Sequence, residues 1–246
     1  MNITTRQAIK ELLESDSEKI NKILISNNAH GDIVRDMVNL CRRKRVLYQF
    51  VPTRKIDNIA KKNQGVIAIV TSKEYSSLDE ILDKSKKIQN PVLCVLDEIT
   101  DPHNLGAILR NADCFGIIGI ILPKMKSVGI TETVIETSSG AIEHIPVTRV
   151  TNIAQTIDLL KKEGFWVIGA DSNSGETCWK FDFKRPTAIV LGNEGYGLRR
   201  LVKEKCDALV RIPMSGRMSS LNVSSASAIL FYEISRQKYQ ENSSSS

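Results

Sequence analysis

Residues 92–122 read VLCVLDEITDPHNLGAILRNADCFGIIGIIL. Two almost continuous apolar runs, VLCVLD (92–97) and GIIGIIL (116–122), flank a segment with a different rhythm. Short apolar runs without polar alternation suit strands buried on both faces of a parallel sheet. Between them Asp101-Pro102 turns the chain, and Leu105 to Cys114 has helical spacing, with Asn104 placed to open the helix. A parallel strand pair needs a crossover of a dozen residues or more, which this helix provides. The stretch therefore predicts one βαβ unit and, with it, an α/β fold.

The same rhythm continues toward the C-terminus. HIPVTRV (144–150), FWVIGA (165–170), TAIVLG (187–192) and ALVRIP (208–213) read as further strands. Helical stretches fall at 131–138, 153–163 and 198–204, and a last helix is expected over 224–239. Ala226, Ile229, Leu230 and Ile234 would give that last helix its apolar face, with Phe231 and Tyr232 widening it. Upstream, TRQAIKELLE (5–14) predicts a helix, INKILI (20–25) a strand and DIVRDMVNLCRRKR (32–45) a second helix capped by Asp32. VLYQFV (46–51) is a strand stopped by Pro52, followed by a short helix over 56–61 and the strand GVIAIV (65–70). This gives a small α/β domain over 1–72, a polar linker over 73–90 with room for a short helix at 78–84, a second domain over 91–240, and a disordered tail, ENSSSS, at 241–246.

Composition narrows the class. With 246 residues, 41% of them hydrophobic, the chain can bury a sizeable core. A net charge of +6 leans toward an anionic partner such as a nucleic acid. The densest cationic tract is Arg42-Arg43-Lys44-Arg45, which reads either as a solvated helix end or as an RNA contact. Cysteines 41, 94, 114, 178 and 206 include no CxxC pair, as in a reduced intracellular protein. His30, His103 and His144 have no metal-ligand spacing, so no metal is expected. No signal-peptide pattern or membrane-length apolar run is present, and the expected location is the cytoplasm, away from membranes.

Ligands in sheets of this kind sit at the carboxyl ends of the strands. Three loops there have unusual content: EITDPHNLGAILRNAD after 92–97, NEGYGL after 187–192, and IPMSGRMSSLNVSS, which begins within 208–213. Each has an ordinary reading as well. Asn104 also suits a helix cap, Arg110 a solvated helix residue, Glu194 a surface charge, and the glycines of GNEGYG a simple turn. The serine-rich third loop is a poor core and a poor helix interior, but its small side chains leave room for a ligand held by backbone groups. No GxGxxG follows any strand, which argues against an ordinary dinucleotide site.

DPHNLGAILRNAD, IVLGNEGYGL and IPMSGRMSSLNVSSASAILFYE, in this order and spacing, resemble the three motifs of the SpoU-type branch of the SPOUT RNA methyltransferases. The resemblance covers about residues 90–238, and the N-terminal 70 residues resemble the ribosomal-protein-like RNA-binding domain of the ribosomal RNA guanosine-2′-O members. It implies a mainly parallel sheet with a C-terminal trefoil knot, preceded by that RNA-binding domain. It implies S-adenosyl-L-methionine as methyl donor, RNA as partner, and a homodimer paired through the knotted domain. The implied activity is methylation of a ribose 2′-hydroxyl, nearest in likeness to a guanosine of large-subunit ribosomal RNA. A transfer-RNA or adenosine-specific enzyme, and a catalytically silent RNA-binding protein, are the alternatives. By motif position Asn104, Arg110, Glu194, Ser220 and Asn222 would be catalytic, and Gly192, Ile212, Met214 and Leu221 would hold the donor.

Overall fold

The structure, a computed structural model, describes residues 2–70 and 73–244. The chain divides into two compact units, Met1–Tyr75 with Val128–Glu132, and Ser76–Ser127 with Thr133–Ser246.

In the first unit, β1 (Asn2–Ile3), α1 (Arg6–Ser15), β2 (Ile20–Ser26), α2 (Asp32–Lys44), β3 (Tyr48–Val51), α3 (Thr53–Ile59) and β4 (Val66–Val70) follow in order. Their sheet runs β1-β4-β2-β3, with β2 parallel to β3 and both β1 and β2 antiparallel to β4. Strand alternation divides the core. Ile23, Ile25 and Ala68 meet Ile9 and Leu13 of α1 and Met37 and Cys41 of α2, while Leu24, Val51 and Ile67 meet Ile56 of α3. Asp32 is not the cap of α2. Gly31 occupies that position at φ 114°, and Asp32 is the first helical residue, where its charge still complements the helix dipole. The five residues Val128–Glu132 belong to this unit through Ile130, whose carbonyl accepts from Asn21 Nδ2 at 2.5 Å and whose N–H donates to Tyr75 Oη at 2.9 Å.

The second unit contains α4 (Leu78–Ser85), β5 (Val92–Asp97), α5 (Pro102–Cys114), β6 (Gly119–Pro123), α6 (Glu132–Ser138), β7 (Val147–Val150), α7 (Ile153–Lys162), β8 (Trp166–Ala170), β9 (Thr187–Gly192), α8 (Arg200–Lys205), β10 (Ala208–Val210) and α9 (Val223–Ser244). Its six strands are all parallel, in the order β10-β8-β9-β5-β6-β7. The pairing of β5 with β9 sets two loops side by side that lie about ninety residues apart in the chain.

The domain break expected at 72 falls at residues 71–72, outside the described residues. The segment read as a linker, 73–90, mostly belongs to the second unit. There Ser77 and Glu80 form a reciprocal capping box, and Ile81 and Leu82 of α4 pack into the core with Leu93, Ile118 and Ile121. The short helix expected at 78–84 is thus present as α4, packed by its one apolar face. The tail expected at 241–246 is helical through Ser244, and Ser245 and Ser246 lie outside the described residues. On α9 the buried stripe is Val223, Ser227, Leu230, Phe231 and Ile234, whereas Ile229 and Tyr232 are exposed. The apolar face is thus rotated from the one expected, and Phe231 is a core residue of its own unit.

Candidate active site

The loops that follow β5, β9 and β10 converge on one hydrogen-bonded chain. Asp101, not Asn104, caps α5, accepting from the His103 N–H at 2.9 Å with Pro102 at the first helical position. That leaves the side chain of Asn104, 7% exposed, free to reach the other loops. Its Nδ2 donates to Glu194 Oε1 at 2.8 Å, and its Oδ1 accepts from Asn222 Nδ2 at 3.0 Å. The polarity is forced. A carboxylate only accepts, so the amide nitrogen of Asn104 must face Glu194, and Asn222 must then turn its own nitrogen toward Asn104. Asn222 Oδ1 is left to accept from the Ser224 N–H at 2.8 Å and the Ser224 hydroxyl at 2.6 Å, which supports the first turn of α9. One residue from each of three motifs is thereby fixed to the next. Behind them Asn111 Nδ2 donates to the Ser224 carbonyl and to Ser227 Oγ, both at 2.9 Å, tying α5 to α9.

A second network, which sequence reasoning missed, fixes the loop after β9. Asp97, fully buried at the end of β5, accepts from the Arg199 backbone N–H at 3.0 Å and from its Nε at 2.8 Å. The guanidinium also pairs with Glu98 at 3.1 Å, and the Tyr196 hydroxyl donates to Glu98. That bond, then burial and the nearby carboxylates, pushes the Tyr196 phenol up to about 12. Asn193 closes the turn on Gly197 by paired backbone bonds of 3.0 and 2.9 Å, and its Nδ2 donates to the Glu98 carbonyl at 2.8 Å. The available signal was the Asp97-Glu98 pair, because a doubly covered strand that ends on acids needs a cation nearby.

Gly192 has a stricter role than leaving space for a ligand. A Cβ there would lie 2.2–2.5 Å from backbone atoms of Gly197 and Leu198, so the turn itself excludes any side chain.

Beside this framework is a cavity of about 540 Å3. Gly192, Ile212, Met214 and Leu221 all line it, as do Glu194 and Ser220. Leu191, Val210 and Val223 add apolar wall, and Asp171 and Lys203, an ion pair, close a polar end. Burial pushes the Asp171 carboxyl up, but Lys203 and the Asn173 N–H outweigh it, and the group lies below its ordinary value. Arg110 is not part of the cavity wall. It lies on α5 six residues beyond Asn104, exposed, with no side-chain partner among the described residues. Among the described residues no cluster of three or more His, Cys, Asp or Glu could hold a metal ion, and no helix is long and apolar enough to cross a membrane.

A model of the SpoU rRNA Methylase family matches residues 91–232, and one for RNA 2′-O ribose methyltransferase substrate binding matches residues 6–76. The chain is 42% identical over 95% of its length, and 94% of the relative's, to the Bacillus subtilis (strain 168) protein named "Putative TrmH family tRNA/rRNA methyltransferase YacO". Its fold is similar to the SpoU methyltransferase AviRb from Streptomyces viridochromogenes, with a TM-score of 0.64 and 23% identity, over 98% of this chain and 90% of that one. It is also similar to an AdoMet-bound rRNA methyltransferase from Sinorhizobium meliloti, with a TM-score of 0.59 and 25% identity, over 96% of this chain and 86% of that one. The chain belongs to the SpoU rRNA methylase family. It is an RNA methyltransferase of the TrmH/SpoU type, with S-adenosyl-L-methionine as its methyl donor. The cavity suits that donor, having the volume of a small-molecule site, apolar walls for a ring and charged groups at one end.

Proposed function

We propose that the enzyme methylates a ribose 2′-hydroxyl of RNA, with a guanosine of large-subunit ribosomal RNA as the target. The observation that carries this reading is the chain Glu194–Asn104–Asn222, which joins three loops beside a cavity fit for the donor. The match of residues 6–76 to a substrate-binding model supports an RNA-holding role for the first unit. A trefoil knot in the second unit is part of the same reading.

The bound donor would supply a methyl group already activated as a sulfonium. Backbone groups at Gly192, Ile212 and Leu221 would hold it, with Met214 against it. What remains for the protein is to place the 2′-oxygen in line and to disperse the charge it gains as its proton passes to water. Arg110 is the cation proposed for that task, either on the adjacent phosphate or on the developing alkoxide. Its exposure and lack of a side-chain partner suit a group that meets its partner only when RNA is present. Asn104, Glu194, Ser220 and Asn222 would shape the site around it. A homodimer through the second unit accompanies the reading, supported by exposed Ile229 and Tyr232 on α9.

Tritium transfer from labelled donor to ribosomal RNA tests the proposal. Wild-type protein should label one ribose in large-subunit RNA, and Arg110→Ala should lose most of the label while calorimetry shows unchanged donor affinity. Near-wild-type labelling by Arg110→Ala would remove Arg110 from the mechanism. Label confined to transfer RNA would overturn the target.

A further inference from the structure

In the first unit, β3 is an edge strand, and Tyr48 and Phe50 project from the same face of it. The two rings meet edge to face, with centroids 6.2 Å apart and planes at 85°. Tyr48 is half-buried against the core, and its hydroxyl accepts from Arg42 Nε at 3.1 Å. Phe50 is 50% exposed. One exposed aromatic is unremarkable in itself, since folded proteins leave much apolar surface in water. This one is held by a second ring, which is in turn held by a cation from the end of α2.

That helix end carries Arg42, Arg43, Lys44 and Arg45, all exposed. Arg42 is bonded to Tyr48, and Lys44 Nζ donates to the Glu14 carbonyl at 3.4 Å. Arg43 and Arg45 have no side-chain partner among the described residues. Arg45 is the C-terminal cap of α2 and has φ 56°, the left-handed conformation that helices usually assign to glycine at this point. A β-carbon costs roughly 1–2 kcal/mol in that conformation. The chain therefore tolerates backbone strain to keep a cation where glycine would fold more easily. Helix-dipole compensation accounts for one or two cations at a helix end. It accounts neither for an arginine in place of the capping glycine nor for the aromatic pair alongside.

We propose that Phe50, braced by Tyr48 and Arg42, is a stacking platform for an unpaired RNA base, with Arg43 and Arg45 on the flanking phosphates. The proposal rests on the reading of the protein as an RNA-modifying enzyme, and assigns a substrate-holding site within the first unit. Stacking on an aromatic face is tolerant of base identity but needs a base outside a duplex. The platform thus selects single-stranded or looped RNA, while the cations contribute affinity without reading sequence. A protein strand added to the open edge of β3 is the competing occupant, and it would have no use for the cations.

The test uses the full chain and a short fluorescent single-stranded RNA, compared with the same sequence annealed into a duplex, by anisotropy over a salt series. Phe50→Ala should bind the single strand about tenfold more weakly, and Phe50→Trp should bind as wild type. The salt slope should stay unchanged in Phe50→Ala, because no phosphate contact is lost. In Arg43→Gln/Arg45→Gln it should flatten by about 0.7 for each contact removed. Urea unfolding should show each variant folded, as expected for exposed positions. Wild-type affinity in Phe50→Ala, or wild-type protein preferring the duplex, would overturn the platform and leave the RNA methyltransferase reading intact. Wild-type protein that binds neither RNA while still binding donor would overturn that reading and the platform together.

Discussion

Replacing Asn104 by aspartate keeps the shape of the side chain and reverses one polar contact. The new carboxylate can still accept from Asn222, but it faces the Glu194 carboxylate across the 2.8 Å now spanned by a hydrogen bond. Two like charges at that distance repel by about 1.5 kcal/mol in a water-like medium and about 6 kcal/mol at the effective dielectric near a protein surface. Glu194 is exposed and can turn toward solvent, so the lower figure governs. The lost hydrogen bond to a charged acceptor adds about 1.5–3 kcal/mol. Asn104→Asp should therefore lose about 3–4 kcal/mol of stability at neutral pH. The carboxylate pair would take up a proton more readily folded than unfolded. Its folded pKa is then raised, so the variant should regain stability as pH falls and lose it as pH rises through the carboxylate range. Urea unfolding from pH 5 to 8 reads this directly. Adding Glu194→Gln should rescue the variant, because the new amide can donate to the new carboxylate. If Glu194→Gln gives no rescue, the bridging geometry is wrong.

Gly192→Ala should destabilise the fold by more than about 4 kcal/mol, since its methyl group meets backbone at 2.2–2.5 Å; a soluble variant with an unchanged urea midpoint would refute the tight turn. Glu233 accepts from Arg236, which outweighs burial and, with Gln237, holds its carboxyl below the ordinary 4.5. The resulting stability is present above that value and lost as pH falls through the lower folded one, so Glu233→Gln should flatten the acid limb of a stability–pH profile. Burial pushes the thiols of Cys41 and Cys206 up to about 12 and raises those of Cys94 and Cys178, while Cys114 is exposed. A thiol reagent at pH 8 should label one cysteine of the folded chain, and labelling that persists in Cys114→Ser would refute this. Phe231→Glu should unfold the chain, whereas Tyr232→Glu should leave it folded and, if α9 forms the dimer contact, shift light scattering from about twice the 27.4 kDa chain mass to one.

Apart from β7, with Thr148 and Arg149, the strands of the second unit were legible because each is a short apolar run, the pattern that burial on both faces imposes. The three motif loops were legible because glycine, asparagine and serine cluster where strands end. Fixed numbers of residues also placed α5 and its arginine. Contacts between loops were not legible. That Asn104 bridges Glu194 and Asn222, rather than capping its own helix, depends on β9 lying beside β5, a pairing no local spacing encodes. The same pairing brings Arg199 onto the buried Asp97, and neither residue stands out alone. On α9 the sequence showed apolar residues around most of the helix but not which side the sheet would cover. Only packing against α5, through Asn111 and Ser227, turned Phe231 inward and left Ile229 and Tyr232 in solvent. Hydrophobic burial is non-directional, so composition and period select the elements, whereas polar bonds with fixed geometry decide how the elements meet.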